Sequence, residues 1–110
     1  MPAPWFEVVL GPNSLFHFRF FDAEGRTVVM SRGYPHKDDA FAGIRAVKEY
    51  ASIPERYERR AEDGKFFFRL KSPSHKVLLE GGPYAKEEER ENAISTLRWA
   101  ASSPVMDKTI

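Results

Sequence analysis

Phe16-His17-Phe18-Arg19-Phe20 returns fifty positions later as Phe66-Phe67-Phe68-Arg69-Leu70. In both copies the first, third and fifth side chains are apolar. That alternation of period two marks a strand with one buried face. The offset persists beyond the strand: Tyr34 meets Tyr84, Ile44 meets Ile94, Val47 meets Leu97, and Ala51-Ser52 with Pro54 meets Ala101-Ser102 with Pro104. Ahead of the first hairpin it becomes 51, so that Phe6-Glu7 meets Tyr57-Glu58. A one-residue difference in a turn accounts for the change, because turns tolerate length differences that strands do not. The chain is an internal duplication, and that repeat organises its fold.

Each copy reads in the same order. Trp5 to Leu10, Leu15 to Phe21 and Arg26 to Ser31 are predicted strands, with turn residues at Gly11-Pro12-Asn13-Ser14 and Asp22-Ala23-Glu24-Gly25. Arg56 to Ala61, Lys65 to Lys71 and Lys76 to Glu80 repeat them, with Glu62-Asp63-Gly64 as the first turn. A helix is predicted from about Lys37 to Ala51, where Ala40, Phe41, Ile44, Val47 and Ala51 share one stripe. A second runs from about Lys86 to Ala101, with Ala93, Ile94, Leu97 and Ala101 on its stripe. Pro54 and Pro104 stop both. A unit of this size is too small to bury its own apolar face well. The expectation is therefore one α+β domain spanning 1–110, made of two tandem β-β-β-α repeats, about 5–54 and 56–104. They are expected to form one mainly antiparallel sheet with two helices on one face. Residues 105–110 are left as a tail or a short edge strand.

The segments Phe18-Arg19-Phe20, Ala23-Glu24-Gly25, Ser31-Arg32-Gly33-Tyr34 and Gly43-Ile44-Arg45-Ala46-Val47 resemble the YegP-like family of small bacterial tandem-repeat domains of unknown function. The resemblance runs from Phe6 to Pro104. It implies a single sheet built by both repeats, and it implies no reaction. The second repeat departs from the pattern, since His75 stands where the first has the turn glycine and Gly81 where it has Ser31.

Composition narrows the function classes. Among 110 residues there are 15 aromatics (2 Trp, 4 Tyr, 9 Phe), which argue for a packed core. There is no cysteine, so disulfides, thiolate metal sites and cysteine nucleophiles are excluded. The 17 basic and 16 acidic residues leave a formal charge of +1, and the pI near 8.0 lies below that of a dedicated nucleic-acid binder. No apolar run approaches the length of a membrane span, and Met1-Pro2-Ala3-Pro4 lacks a basic leader, so a cytoplasmic protein is expected.

The inventory of reactive side chains is thin. His17, His36 and His75 are not set at ligand spacing with one another or with carboxylates, so no metal and no cofactor is expected. Glu87-Glu88-Glu89-Arg90-Glu91 reads as a solvated helix face. No serine sits in a Gly-x-Ser-x-Gly elbow, and Gly81-Gly82-Pro83 lacks the Lys-Ser or Lys-Thr of a phosphate loop. An enzyme is not expected. Tyr34 and Tyr84 read as plugs beneath the helices, and Gly43 as a point of close approach by its helix.

The face of the sheet away from the helices is the most informative surface. If Phe16, Phe18, Phe66, Phe68 and Leu70 point inward, then His17, Arg19, Phe67, Arg69 and Lys71 point outward. These five are the candidate ligand or partner residues. Trp5, Glu7, Val9, Glu58 and Arg60 join them from neighbouring strands. Between Arg56 and Lys76 seven basic residues face three acidic ones. Two readings follow. The first is a non-enzymatic interaction domain that binds a protein partner, or a second copy of itself, through a sheet face or edge. The alternative is weak binding of single-stranded nucleic acid or another anionic ligand on a basic aromatic face.

Overall fold

Asp63-Gly64 closes the hairpin between β4 (Tyr57–Glu62) and β5 (Lys65–Lys71) as a two-residue turn, both residues having positive φ (51° and 76°). The equivalent hairpin joins β1 (Trp5–Leu10) to β2 (Phe16–Phe21) and spends three residues, Pro12, Asn13 and Ser14, between Gly11 and Leu15. That extra residue is why the repeat offset changes from 51 to 50. β3 (Thr27–Met30) and β6 (Val77–Tyr84) complete the two antiparallel triplets. They are followed by α1 (Lys37–Tyr50) and α2 (Glu87–Leu97). These coordinates are a computed structural model and describe residues 3–110. Met1 and Pro2, at the start of the N-terminal stretch considered above, lie outside the described residues.

The single shared sheet expected from the sequence does not form. With a seventh strand, β7 (Val105–Asp107), the strands make two sheets, one ordered β3-β2-β1-β7 and the other β4-β5-β6. β7 is the edge strand from the tail, pairing parallel with β1 so that Phe6 meets Val105 and Val8 meets Asp107. β3 and β6 lie side by side as the inner edges of the two sheets but carry no ladder between them. Bulges near Phe20/Phe21, Phe66/Phe68 and Leu70/Lys71 add local twist to both triplets, and β3 offers only four residues to pair. The helices make the join instead. α1 lies on β2 and β1 and reaches β6 and β5, while α2 lies on β6 and β5 and reaches β3.

One core results. Phe6, Val8, Phe18 and Phe20 from the first sheet meet Phe68, Leu70 and Leu79 from the second, under Ala40, Ile44, Val47, Ala93, Ile94 and Leu97 from the helices. Phe16 and Phe66 are only half-buried at its margin. The second helix ends a turn earlier than its stripe suggests. A 3-10 turn, Ala100–Ser102, follows, the backbone N–H of Trp99 reaches the Thr96 carbonyl, and Ser103 Oγ donates to the Trp99 carbonyl at 2.9 Å. The tighter winding rotates the chain, so Ala100 enters the core and Ala101 faces outward. The α2 start is capped from within, the Glu89 carboxylate accepting the Lys86 N–H at 3.0 Å.

Candidate interaction face

The five candidate residues divide between the sheets. Phe67, Arg69 and Lys71 lie on β5, whereas His17 and Arg19 lie on β2. They therefore do not form one continuous sheet face. On β5 the register sets Arg69 between Glu58 of β4 and Glu80 of β6. Lys71 Nζ donates to Glu58 at 2.8 Å, and Arg69 stands 3.8 Å from Glu58 and 3.7 Å from Glu80. The Lys71 hydrogen bond holds the Glu58 carboxyl below its usual range. Two of the basic residues in this excess, Arg69 and Lys71, thus face carboxylates from the neighbouring strands.

The β2 pair behaves differently. His17 is half-buried, with Nδ1 3.1 Å from the Ser31 carbonyl and its ring against the backbone at Gly11 and Gly33. This is a packed histidine. Arg19 faces Glu7 and Met30 in its row, but Glu7 instead accepts the indole N–H of Trp5 at 2.9 Å. Trp5 in turn stacks on Phe21 with centroids 5.1 Å apart, which buries Phe21 although it sits on the outer side of its strand. The Nε atoms of Arg19 and Arg69 are both buried without a hydrogen-bond partner, Glu80 being too far from Arg69 for more than an ion pair.

Several features escaped the sequence reading. Arg90, assigned above to a solvated face, is buried. Its guanidinium lies over the Phe66 ring at 5.4 Å, bonds Glu91 at 2.9 Å and reaches the Arg60 carbonyl at 3.2 Å. Glu91 is also held by Arg59 through three contacts of 2.8–3.0 Å, which lowers its carboxyl's proton affinity. Burial pushes the Tyr57 phenol well up, and its hydroxyl donates to the Ala51 carbonyl at 2.6 Å. Tyr34 and Tyr84, read above as plugs, pack against the core and stack on Phe18 and Phe68 with nearly parallel rings in both repeats. Trp99 stays 65% exposed beside an open groove lined by Asp22, Glu24 and Ser103. Among the described residues no three His, Cys, Asp or Glu side chains converge as a metal site. None of the described helices is long and apolar enough to cross a membrane.

Two small sheets under two shared helices, with charges paired across neighbouring elements, define a tandem-repeat α+β domain. The family described as a domain of unknown function, DUF1508, matches twice, over residues 13–58 and 61–106. Each match is the same repeat cut at another point of its cycle, running from a hairpin through a helix into the next strand. The chain belongs to this YegP (UPF0339) family of uncharacterised small bacterial proteins. It is 34% identical to the UPF0339 protein YegP of Escherichia coli O157:H7, over 97% of this chain and 99% of that one. A UPF0339 protein encoded in the ptx operon 5' region of Stutzerimonas stutzeri is 33% identical, over 84% and 85% of the two chains. The solution structure of E. coli YegP superposes with a TM-score of 0.88 at 32% identity, covering 99% of this chain and 96% of that one. A Shewanella oneidensis UPF0339 protein gives 0.89 at 26%, covering 97% and 92%.

Proposed function

We propose that this chain is a non-enzymatic interaction domain that engages a protein partner through the outer edge of β4 and the adjoining face of the three-stranded sheet. One observation carries the reading. Among the described residues no strand covers the free side of β4, whereas β7 covers the corresponding side of β1. An uncovered strand presents unpaired N–H and C=O groups to any chain able to lie beside it. The thin set of reactive side chains also favours binding over catalysis.

The anionic-ligand reading has less support, because Arg69 and Lys71 already face Glu58 and Glu80. Amide spectra recorded with added bacterial extract test the proposal. Shifts confined to β4, β5 and their turn are expected. Shifts gathered instead around Trp99, or absent throughout, would overturn it. Binding of labelled single strands at about 50 mM salt would revive the alternative, since phosphate contacts are strong at low salt.

A further inference from the structure

Arg56, Glu58, Arg60 and Glu62 alternate in sign along the open edge of the three-stranded sheet. Side chains two apart on a strand share a face, so Glu58, Arg60 and Glu62 line one side of β4, with Arg60 Nη2 3.2 Å from Glu62, and Arg56 closes the 3-10 turn (Pro54–Arg56) that leads into the strand. Tyr57 and Arg59 turn the other way, towards Phe68 and Glu91. Arg59, Arg60, Ala61 and Glu62 are all exposed.

Resting on the interaction reading above, we propose that the partner is a second copy of this chain. The two β4 strands pair antiparallel about a two-fold axis at Arg59. A two-fold axis normal to the sheet keeps outer residues outer, so even positions face even positions. With the axis at Arg59, Glu58 faces the partner's Arg60 and Arg56 faces the partner's Glu62, and symmetry repeats both rows. Moving the axis to Arg60 sets that arginine against the partner's Arg60, and Glu58 against the partner's Glu62. Moving it to Glu58 sets that glutamate against the partner's Glu58, and Arg56 against the partner's Arg60. Opposite charges across a ladder attract and like charges repel, so the alternation selects one register and disfavours its neighbours.

The inner side accepts the same register. Tyr57 falls opposite the small partner's Ala61. Arg59 meets the partner's Arg59 at the axis with its charge already answered by Glu91. The charges that protect this edge from unrelated strands thus admit its own copy. The two three-stranded sheets become one six-stranded sheet across the pair.

Sedimentation of the full chain across concentration, at low and moderate salt, tests this. A species of twice the 12.6 kDa chain mass is expected, weakening as salt rises. Arg60→Glu should weaken it about tenfold by placing like charges in both central rows. Glu62→Arg should weaken it too, and adding Arg56→Glu to that variant should restore it, because the outer rows then regain opposite signs. These positions lie at or beside an exposed edge, and an unchanged circular dichroism spectrum verifies that each variant folds. A strict monomer at millimolar concentration, or a dimer indifferent to both substitutions, overturns the proposal. A monomer whose β4 amides still respond to bacterial extract overturns self-pairing alone and leaves the interaction reading standing.

Discussion

Phe18 and Phe68 occupy the same place in the two repeats, each fully buried and each stacked on a tyrosine, at 6.4 Å from Tyr34 and 6.3 Å from Tyr84. Their neighbours differ: Ser31 directly follows β3, whereas Gly81 lies within β6. In the first repeat Ser31 Oγ accepts the Phe18 N–H at 2.9 Å and donates to the Arg32 carbonyl at 2.8 Å, a polar knot inside the sheet margin. In the second repeat Gly81 has no side chain, and the Phe68 ring fills the space. A Cβ at Gly81 would stand 2.0 Å from Phe68 Cε2. Duplication preserved the stack and exchanged a hydrogen bond for ring volume.

The largest expected effect comes from forcing the second repeat to copy the first. Gly81→Ser drives a side chain into a ring held by Tyr57 and Tyr84. Overpacking of this kind costs about 3 kcal/mol, read as a large fall in melting temperature. An unchanged melting point would show that Phe68 swings aside and that the two packings are interchangeable. The reverse experiment is milder. Ser31→Ala leaves the buried Phe18 N–H without its acceptor, for a loss of about 1–2 kcal/mol in chemical denaturation. A loss no larger than that of Ala substitution at an exposed serine such as Ser52 would mean that water replaces the hydroxyl.

The comparison also shows where sequence reading works and where it stops. The strand alternation in Phe16 to Phe20 and the stripe Ala40, Phe41, Ile44, Val47 and Ala51 are local periodicities, and the structure buries the residues they nominate apart from the half-buried Phe16 and Phe41. The break between β3 and β6 is not local. Nothing in Thr27-Val28-Val29-Met30 says whether its edge towards β6 pairs, because backbone groups make the ladder and helices lying across both sheets can close the core without it. Arg90 was misread for a related reason: helical spacing gives its direction, but not the Phe66 ring waiting there from another strand. The candidate residues were named from strand alternation alone, and the structure leaves all five half-buried. Their separation onto two sheets and their carboxylate partners were not readable, since both depend on cross-strand register.

A third difference concerns the edges. β1 is covered by β7, and the cover is pinned where Lys37 Nζ meets Asp107 and Thr109, both at 3.0 Å, and where the Lys108 N–H meets the Val8 carbonyl at 2.8 Å. Hydrogen bonds from Thr109, then Lys37, lower the Asp107 carboxyl from 3.8 to about 2. A carboxyl lowered by folding favours the folded arrangement above its unfolded value and loses that contribution as pH falls through the folded one. Between about pH 4 and pH 2 the β7 contacts should therefore loosen, seen as a fall in the protection of the Lys108 amide, its exchange rate being divided by the intrinsic rate at each pH. Asp107→Asn should show the lowered protection already at neutral pH and little further change on acidification. If wild-type protection is unchanged down to pH 2, the parallel ladder alone holds the cover in place.

The smallest effect belongs to the second hairpins. Gly25 and His75 hold equivalent turn positions, each N–H reaching back three residues, to Asp22 and Ser72 at 3.0 and 2.9 Å, and both have positive φ, 86° and 69°. Glycine takes that conformation without steric cost, whereas a side chain there costs roughly 1–2 kcal/mol. Glycine also makes the unfolded chain freer, which returns about 0.4–1 kcal/mol of the gain. The two terms oppose, so His75→Gly should stabilise by only about 0.5 kcal/mol. Gly25→His, which runs the same balance backwards, should destabilise by a similar or slightly larger amount, because Asp22 already ties the Glu24 and Arg26 amides in that turn. Paired melting curves decide the matter. If His75→Gly lowers the melting temperature, the exposed imidazole contributes more to its turn than the backbone strain takes away, and the second repeat has adapted to the loss of its glycine.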